Sequence, residues 1–157
     1  MSVDRAPVAE TLAGLGLALP PVATPAGAYV PATVSGNLVF TAGQLPFVEG
    51  VLPEAGKVGA GIDADEATAF ARIAALNALA AAESAIGSLE RVTRVVKVVV
   101  FVASDPSFTG QPGVANGASE LLGQVFGDAG RHARSAVGVA VLPLDSPVEV
   151  ELVLEFA

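Results

Sequence analysis

Between Val92 and Ala103 the chain reads Val-Thr-Arg-Val-Val-Lys-Val-Val-Val-Phe-Val-Ala, apolar almost throughout and rich in β-branched residues. Such a run lacks the strict alternation of a half-wet strand. It fits a strand central in a sheet. Ser104-Asp105-Pro106 ends it. A helical pattern lies on each side. Before it, Asp63-x-x-Glu66 has the form of a capping box. It opens an Ala-rich helix expected to run to about Leu89, with Phe70, Ile73, Leu76, Asn77, Leu79, Ala80 and Ile86 available to its core face. So much alanine lets a helix lie close to a sheet. After the strand, a second helix is expected from about Pro112 to Phe126. Val114, Ala118, Leu121, Leu122 and Val125 recur at helical spacing, and Gly127 closes it.

The last quarter reads as two more strands, Val137 to Leu142 and Val148 to Phe156, joined by a short Pro-containing turn. In the second, Val148, Val150, Leu152, Leu154 and Phe156 fall on one face, and Glu149, Glu151 and Glu155 on the other. Arg134 sits at the mouth of the first strand and Glu149 early in the second. Pairing as a hairpin would put these two charges near one small cleft.

The start of the chain is less regular. Val8, Leu12, Leu15 and Leu19 are spaced for a short helix within residues 4–19, weakened by Gly14 and Gly16 and stopped by Pro20-Pro21. A loop punctuated by Pro and Gly follows to Pro31 and holds the only tyrosine, Tyr29. Asn37 to Pro46 reads as a strand running into a glycine turn at Gly43, where a bulge or a close backbone approach is expected. Residues 47–62 are a Gly-rich loop with room for a short hairpin. A β-rich start, then helix, strand, helix and a terminal pair of strands argues an α+β fold with helices on one face of a sheet.

Composition narrows the function. The 157 residues are of single-domain size, and 52% of them are hydrophobic against 15% charged, which favours a partner subunit covering apolar surface. The formal charge of −8 and the lack of a basic patch with interleaved aromatics argue against nucleic acid. With no Cys and one His, neither a disulfide framework nor a multi-His or thiolate metal site is expected. The N-terminus lacks the pattern of a signal peptide, and no uninterrupted apolar run approaches the ~20 residues of a membrane span. A soluble cytoplasmic protein without membrane contact is the expectation.

Gly27-Ala-Tyr29, Thr41-Ala-Gly43-Gln-Leu-Pro46 and Ala133-Arg134-Ser135-x-Val137-x-Val139-x-x-Leu142-Pro143, followed by Val148-Glu149-Val-Glu151, closely resemble the signatures of the reactive-intermediate imine deaminases, the RidA or YjgF-like family. The resemblance spans residues 25–157 and leaves 1–24 as an N-terminal extension of a divergent branch. It implies a chorismate-mutase-like mixed β-sheet with two helices packed on one face, assembled as a homotrimer with ligand sites between subunits. It implies hydrolysis of 2-imino or enamine acids, such as 2-aminoacrylate, to 2-keto acids and ammonia, without a cofactor or metal. By the same resemblance, Arg134 holds the substrate carboxylate and Glu149 positions or activates water. Tyr29 closes the pocket from one side and Asn116 lies near it. Gly43 and Ala136 line the substrate through their backbones. Ala136 stands where the family often has Cys, Ala28 where it has Pro, and Ala42 where Ser is frequent.

The residue types suit that chemistry. A guanidinium fork matches a carboxylate with two parallel hydrogen bonds and stays charged. A glutamate can take a proton from water and later return it to the leaving nitrogen. Plainer roles compete: a lone Arg at a strand end is more often a solvated ion pair, and Glu149, Glu151 and Glu155 resemble a wet sheet face. Tyr29 suits plain packing and Asn116 a solvated helix face. His132, in a loop beside Arg134, reads as a bystander. Two further functions remain open: a non-catalytic binder of small carboxylates or 2-keto acids, and an endoribonuclease, which the charge disfavours.

Overall fold

The computed structural model describes residues 5–157. It contains helices α1 (Val8–Gly14), α2 (Ala64–Ile86) and α3 (Gln111–Phe126) and strands β1 (Ala32–Ser35), β2 (Leu38–Thr41), β3 (Val92–Ala103), β4 (Ala133–Val139) and β5 (Val148–Phe156). The strands form one sheet in the order β1-β2-β5-β3-β4. β3 and β4 are parallel, joined by the crossover through α3, and every other pair is antiparallel. The helices α2 and α3 cover one face. This is the expected α+β, chorismate-mutase-like architecture.

β3 has the limits its apolar run predicts and lies between β5 and β4, with Val92, Val95, Val98, Val100 and Val102 fully buried. The capping box at the start of α2 is complete. Glu66 N–H donates to Asp63 Oδ1 at 2.8 Å, and Asp63 N–H donates to Glu66 Oε2 at 2.9 Å. Two features of the helix differ from expectation. It ends at Ile86, where Gly87 takes a positive φ of 89°. Its buried face is mainly alanine, while Phe70, Ile73 and Leu76 stay only half-buried along its flanks. Alanine lets α2 lie close to the sheet and to α3; Leu79 and Ile86 are its larger buried apolar residues, and Phe70 and Leu76 pack against the core from its margin. Although α2 is long and apolar enough to cross a membrane, it is the core helix here, with eleven of its residues buried. Where α2 meets α3 the approach is closer still. A Cβ built on Gly117 would stand 2.0 Å from the carbonyl oxygen of Thr68, so only glycine fits.

The expected terminal hairpin does not form. β4 and β5 both pair with β3 and never with each other. A strand that returns through a crossover helix lies parallel to the strand it left, so α3 sets β4 beside β3. The connection to β5 then rounds the end of β3, where Ser104 N–H donates to Val139 O and Ala103 N–H donates to Pro147 O. β1, which pairs with β2 through a two-residue turn at Gly36 and Asn37, emerges from a stretch without strand periodicity.

The N-terminal helix is shorter than residues 4–19 suggest and closes at Gly16, which has a φ of 73°. Val8 and Leu12 nevertheless join the main core. Arg5 fastens the segment by donating to Val92 O and Leu89 O and by lying over the Phe126 ring. Among the described residues no helix lies on the opposite sheet face. Register places Phe40, Val153, Val99, Phe101 and Val137 together on it, and Phe40 and Val137 are exposed.

Candidate functional site

Within one chain the expected site residues fall into two groups. Val98 of β3, fully buried, pairs with Arg134 on one side and Leu152 on the other, so Arg134 faces the helices. Glu149 pairs with Phe101, three residues further along β3, and so faces the open side. Arg134 and Glu149 therefore lie on opposite faces of the sheet, separated by β3, and share no cleft in the isolated chain.

The first group gathers at β4, an edge strand. Arg134 Nη1 donates to Asn116 Oδ1 at 2.7 Å and to Ser119 Oγ at 3.2 Å, and Nη2 donates to Pro112 O at 3.2 Å. These three bonds use three of the five guanidinium hydrogens, leaving Nε–H and one Nη2–H. All three acceptors are neutral. Among the described residues no carboxylate lies within ion-pair distance of Arg134. That is not the solvated ion pair expected of an ordinary surface arginine; the guanidinium is oriented and its charge is uncompensated. Ala136, two residues along β4 on the same face, packs partly against the core.

Sequence reading missed Ser119 and set His132 aside. Ser119 lies three residues after Asn116 on α3, the spacing that puts two side chains on one helix face, so the signal was present. His132 Nδ1 lies 2.6 Å from Gly130 O, and its Nε2 lies 2.9 Å from Ser119 Oγ. A carbonyl only accepts, so Nδ1 bears the proton, and in the neutral ring Nε2 accepts from the Ser119 hydroxyl. His132 thus connects to Arg134 through Ser119.

The second group lines a cavity of about 470 Å³ that includes Tyr29, Gly43, Leu45, Phe47, Leu144 and Glu149. The Tyr29 ring folds back on its own loop, its Oη accepting from Ala26 N–H at 3.1 Å. Asn77, buried on α2, donates through Nδ2 to Leu45 O at 2.9 Å and Phe47 O at 3.0 Å, which fixes the loop forming one wall. Gln44 anchors the same loop to β5 by exchanging backbone hydrogen bonds with Val150. Glu149 is half-buried. Burial, and then the neighbouring Glu151, raises its carboxyl above the ordinary carboxylate range.

Gly43 has the close approach its setting suggested, and the approaching group is Glu149. A methyl built on Gly43 would lie 1.8 Å from Glu149 Oε1 and 2.7 Å from Cδ. Gly43→Ala is therefore expected to fold normally by circular dichroism while displacing the carboxylate. A shift of that size costs roughly 10²-fold in rate when the displaced group takes part in the reaction. An unchanged rate would mean that the position of this carboxylate is immaterial.

Comparison with known proteins agrees with this architecture. The family model described as "YjgF/chorismate mutase-like, putative endoribonuclease" matches residues 9–156. Protein TCP17 of Trypanosoma cruzi is 48% identical over 149 residues, which cover 94% of this chain and 93% of that protein. The crystal structure of Atu1372 from Agrobacterium tumefaciens, a protein of unknown function, is 42% identical. It superposes with a TM-score of 0.89 over 96% of this chain and 92% of its own. TdcF of E. coli, solved with bound serine, is 26% identical with a TM-score of 0.61, over 88% and 94% of the two chains.

Proposed function

Because the chain belongs to the YjgF/chorismate mutase-like family, we propose that it hydrolyses reactive 2-imino acids to 2-keto acids and ammonia, at sites completed between copies in a homotrimer. The observation that carries this reading is the oriented, uncompensated guanidinium of Arg134 at a sheet edge. Its natural complement is a small carboxylate. Glu149 supplies the second requirement, a carboxyl whose proton affinity is raised toward the working pH of a general base.

In the reaction, Arg134 of one copy holds the substrate carboxylate and aims the C=N carbon into the Glu149 cavity of the next. Glu149 takes a proton from water as the oxygen bonds to that carbon, and the former C=N nitrogen takes up a proton. The resulting carbinolamine collapses when Glu149 returns its proton to the nitrogen. Ammonia leaves, and the C=O bond of the keto acid forms as the hydroxyl proton is released. Each turnover consumes one water.

Trimer assembly follows from the same reading. The helix-free sheet face, where Phe40, Val99, Phe101, Val137 and Val153 lie among Lys97, Glu149 and Glu151, is the surface that such an assembly would cover. Sedimentation is expected to give three times the chain mass. A concentration-independent monomer would remove the composite site.

Binding of small carboxylates without turnover is the second reading, and the serine bound to TdcF favours it. Generating imino acids in place with an amino-acid oxidase, and timing keto-acid release with and without the protein, separates the two. Acceleration supports the deaminase; binding of keto acids with no acceleration supports the binder. An RNA substrate fits poorly with a net charge of −8 and with Glu149, Glu151 and Glu155 along one sheet face.

A further inference from the structure

We propose, resting on the imino-acid reading above, that the cavity beside Glu149 selects acids with a branched or aromatic apolar side chain, and that Leu144 is the residue that selects them. The cavity is about 470 Å³, and much of its wall is Pro31, Leu45, Phe47, Pro143 and Leu144. Ligand pockets of roughly 300–1,000 Å³ enclose molecules well beyond three carbons. An acid with a methyl side chain would leave most of this apolar wall facing water. One with a leucine-like or phenylalanine-like side chain would cover it, with the carboxylate directed outward to Arg134 of the neighbouring copy.

Leu144 is unusual in two respects. It is 68% exposed, so it contributes little to the core. Its φ is +58°, left-handed backbone that a bulky residue rarely adopts. The turn is held in that form by its neighbours. Lys57 forms an ion pair with Asp145, Gly56 N–H donates to Asp145 O, and Ser146 N–H donates to Pro143 O. Glycine would satisfy this backbone better. A leucine here, lining an apolar cavity, is placed to touch what enters it.

The test compares the parent with Leu144→Gly, using imines made from leucine, phenylalanine and alanine by an amino-acid oxidase. Calorimetric titration with 4-methyl-2-oxopentanoate and pyruvate runs beside it. The parent is expected to favour the leucine- and phenylalanine-derived imines and to bind 4-methyl-2-oxopentanoate more tightly than pyruvate. Leu144→Gly should be at least as thermally stable as the parent. It should lose roughly 10-fold in kcat/KM on the larger imines and little on the alanine-derived one. Equal or better use of the alanine-derived imine by the parent overturns the proposal. So does an equal loss on all three imines, or a smaller assembly mass in Leu144→Gly, which would make Leu144 a subunit contact. If no imine is hydrolysed, the deaminase reading fails while the selectivity still stands or falls on the two keto-acid titrations. If neither keto acid binds, both fail.

Discussion

Glu149→Gln is expected to bind a simple 2-keto acid about as well as the parent while hydrolysing imines at least ~10²-fold more slowly. Glutamine keeps the size and reach of the side chain over Gly43 but cannot take a proton from water. Stability should move the other way. Burial and Glu151 raise the carboxyl of Glu149 in the folded chain, so the fold favours its protonated form. For a raised carboxyl, stability is fully present below the ordinary carboxylate range and is lost as pH rises through the folded value. The variant and the parent should therefore melt together in acid, with the variant more stable at neutral pH. Activity of the parent should rise through the same window as the base form appears. Glu151→Gln removes the smaller of the two causes and should slide that acid limb to lower pH with little change in the plateau rate. A parental rate in Glu149→Gln would leave the site acting by orientation alone.

Arg134→Ala is expected to abolish keto-acid binding, and Arg134→Lys to recover little of it. An ammonium cannot keep bonds to Asn116, Ser119 and Pro112 while offering a carboxylate two parallel donors. Calorimetry reads this directly, and undiminished affinity in Arg134→Ala would return the residue to the surface. Mixing the two inactive variants carries the question further. If Arg134 of one copy serves Glu149 of another, random subunit exchange between Arg134→Ala and Glu149→Gln restores about a quarter of the sites. If both residues served within one chain, mixing would restore none.

The sequence was most informative where a signal is local. The limits of β3 follow directly from its apolar run, and the strand is paired on both edges, but helices cover only the face of Val98, Val100 and Val102; Val99 and Phe101 lie on the face left open. The Asp63–Glu66 cap is reciprocal hydrogen bonding within four residues. The hairpin failed because two strand patterns separated by a short turn look alike whether they pair or take a third strand between them. Nothing between Val139 and Val148 reports that β3 occupies that place. The same blindness merged Arg134 and Glu149 into one cleft. Face is legible within a strand, but the relation between strands depends on register across β3, which is set by distant residues. The family resemblance set Asn116 near the Tyr29 pocket; its bond to Arg134, across eighteen residues of helix and loop, was not legible, and within one chain it leaves Asn116 in a different group from Tyr29. Phe70 and Leu76 do reach the core, but only from its margin, and Ile73 is half-buried beside them, because the centre of the buried face of α2 is filled mainly by alanine.

That alanine stripe also shapes what the protein can become. Eight of the eleven buried residues of α2 are alanine, and alanine has no rotamers to lose, so ordering this helix carries almost none of the side-chain entropy that a leucine-lined helix would surrender. The same economy of atoms leaves little latitude for sequence drift. A larger residue at Ala71, Ala74 or Ala78 meets a packed core, and the only smaller one, glycine, sacrifices helix propensity at about 1 kcal/mol a site. Variation in such a chain is pushed outward, to the loops that wall the Glu149 cavity, where a change alters what is bound before it alters whether the chain folds.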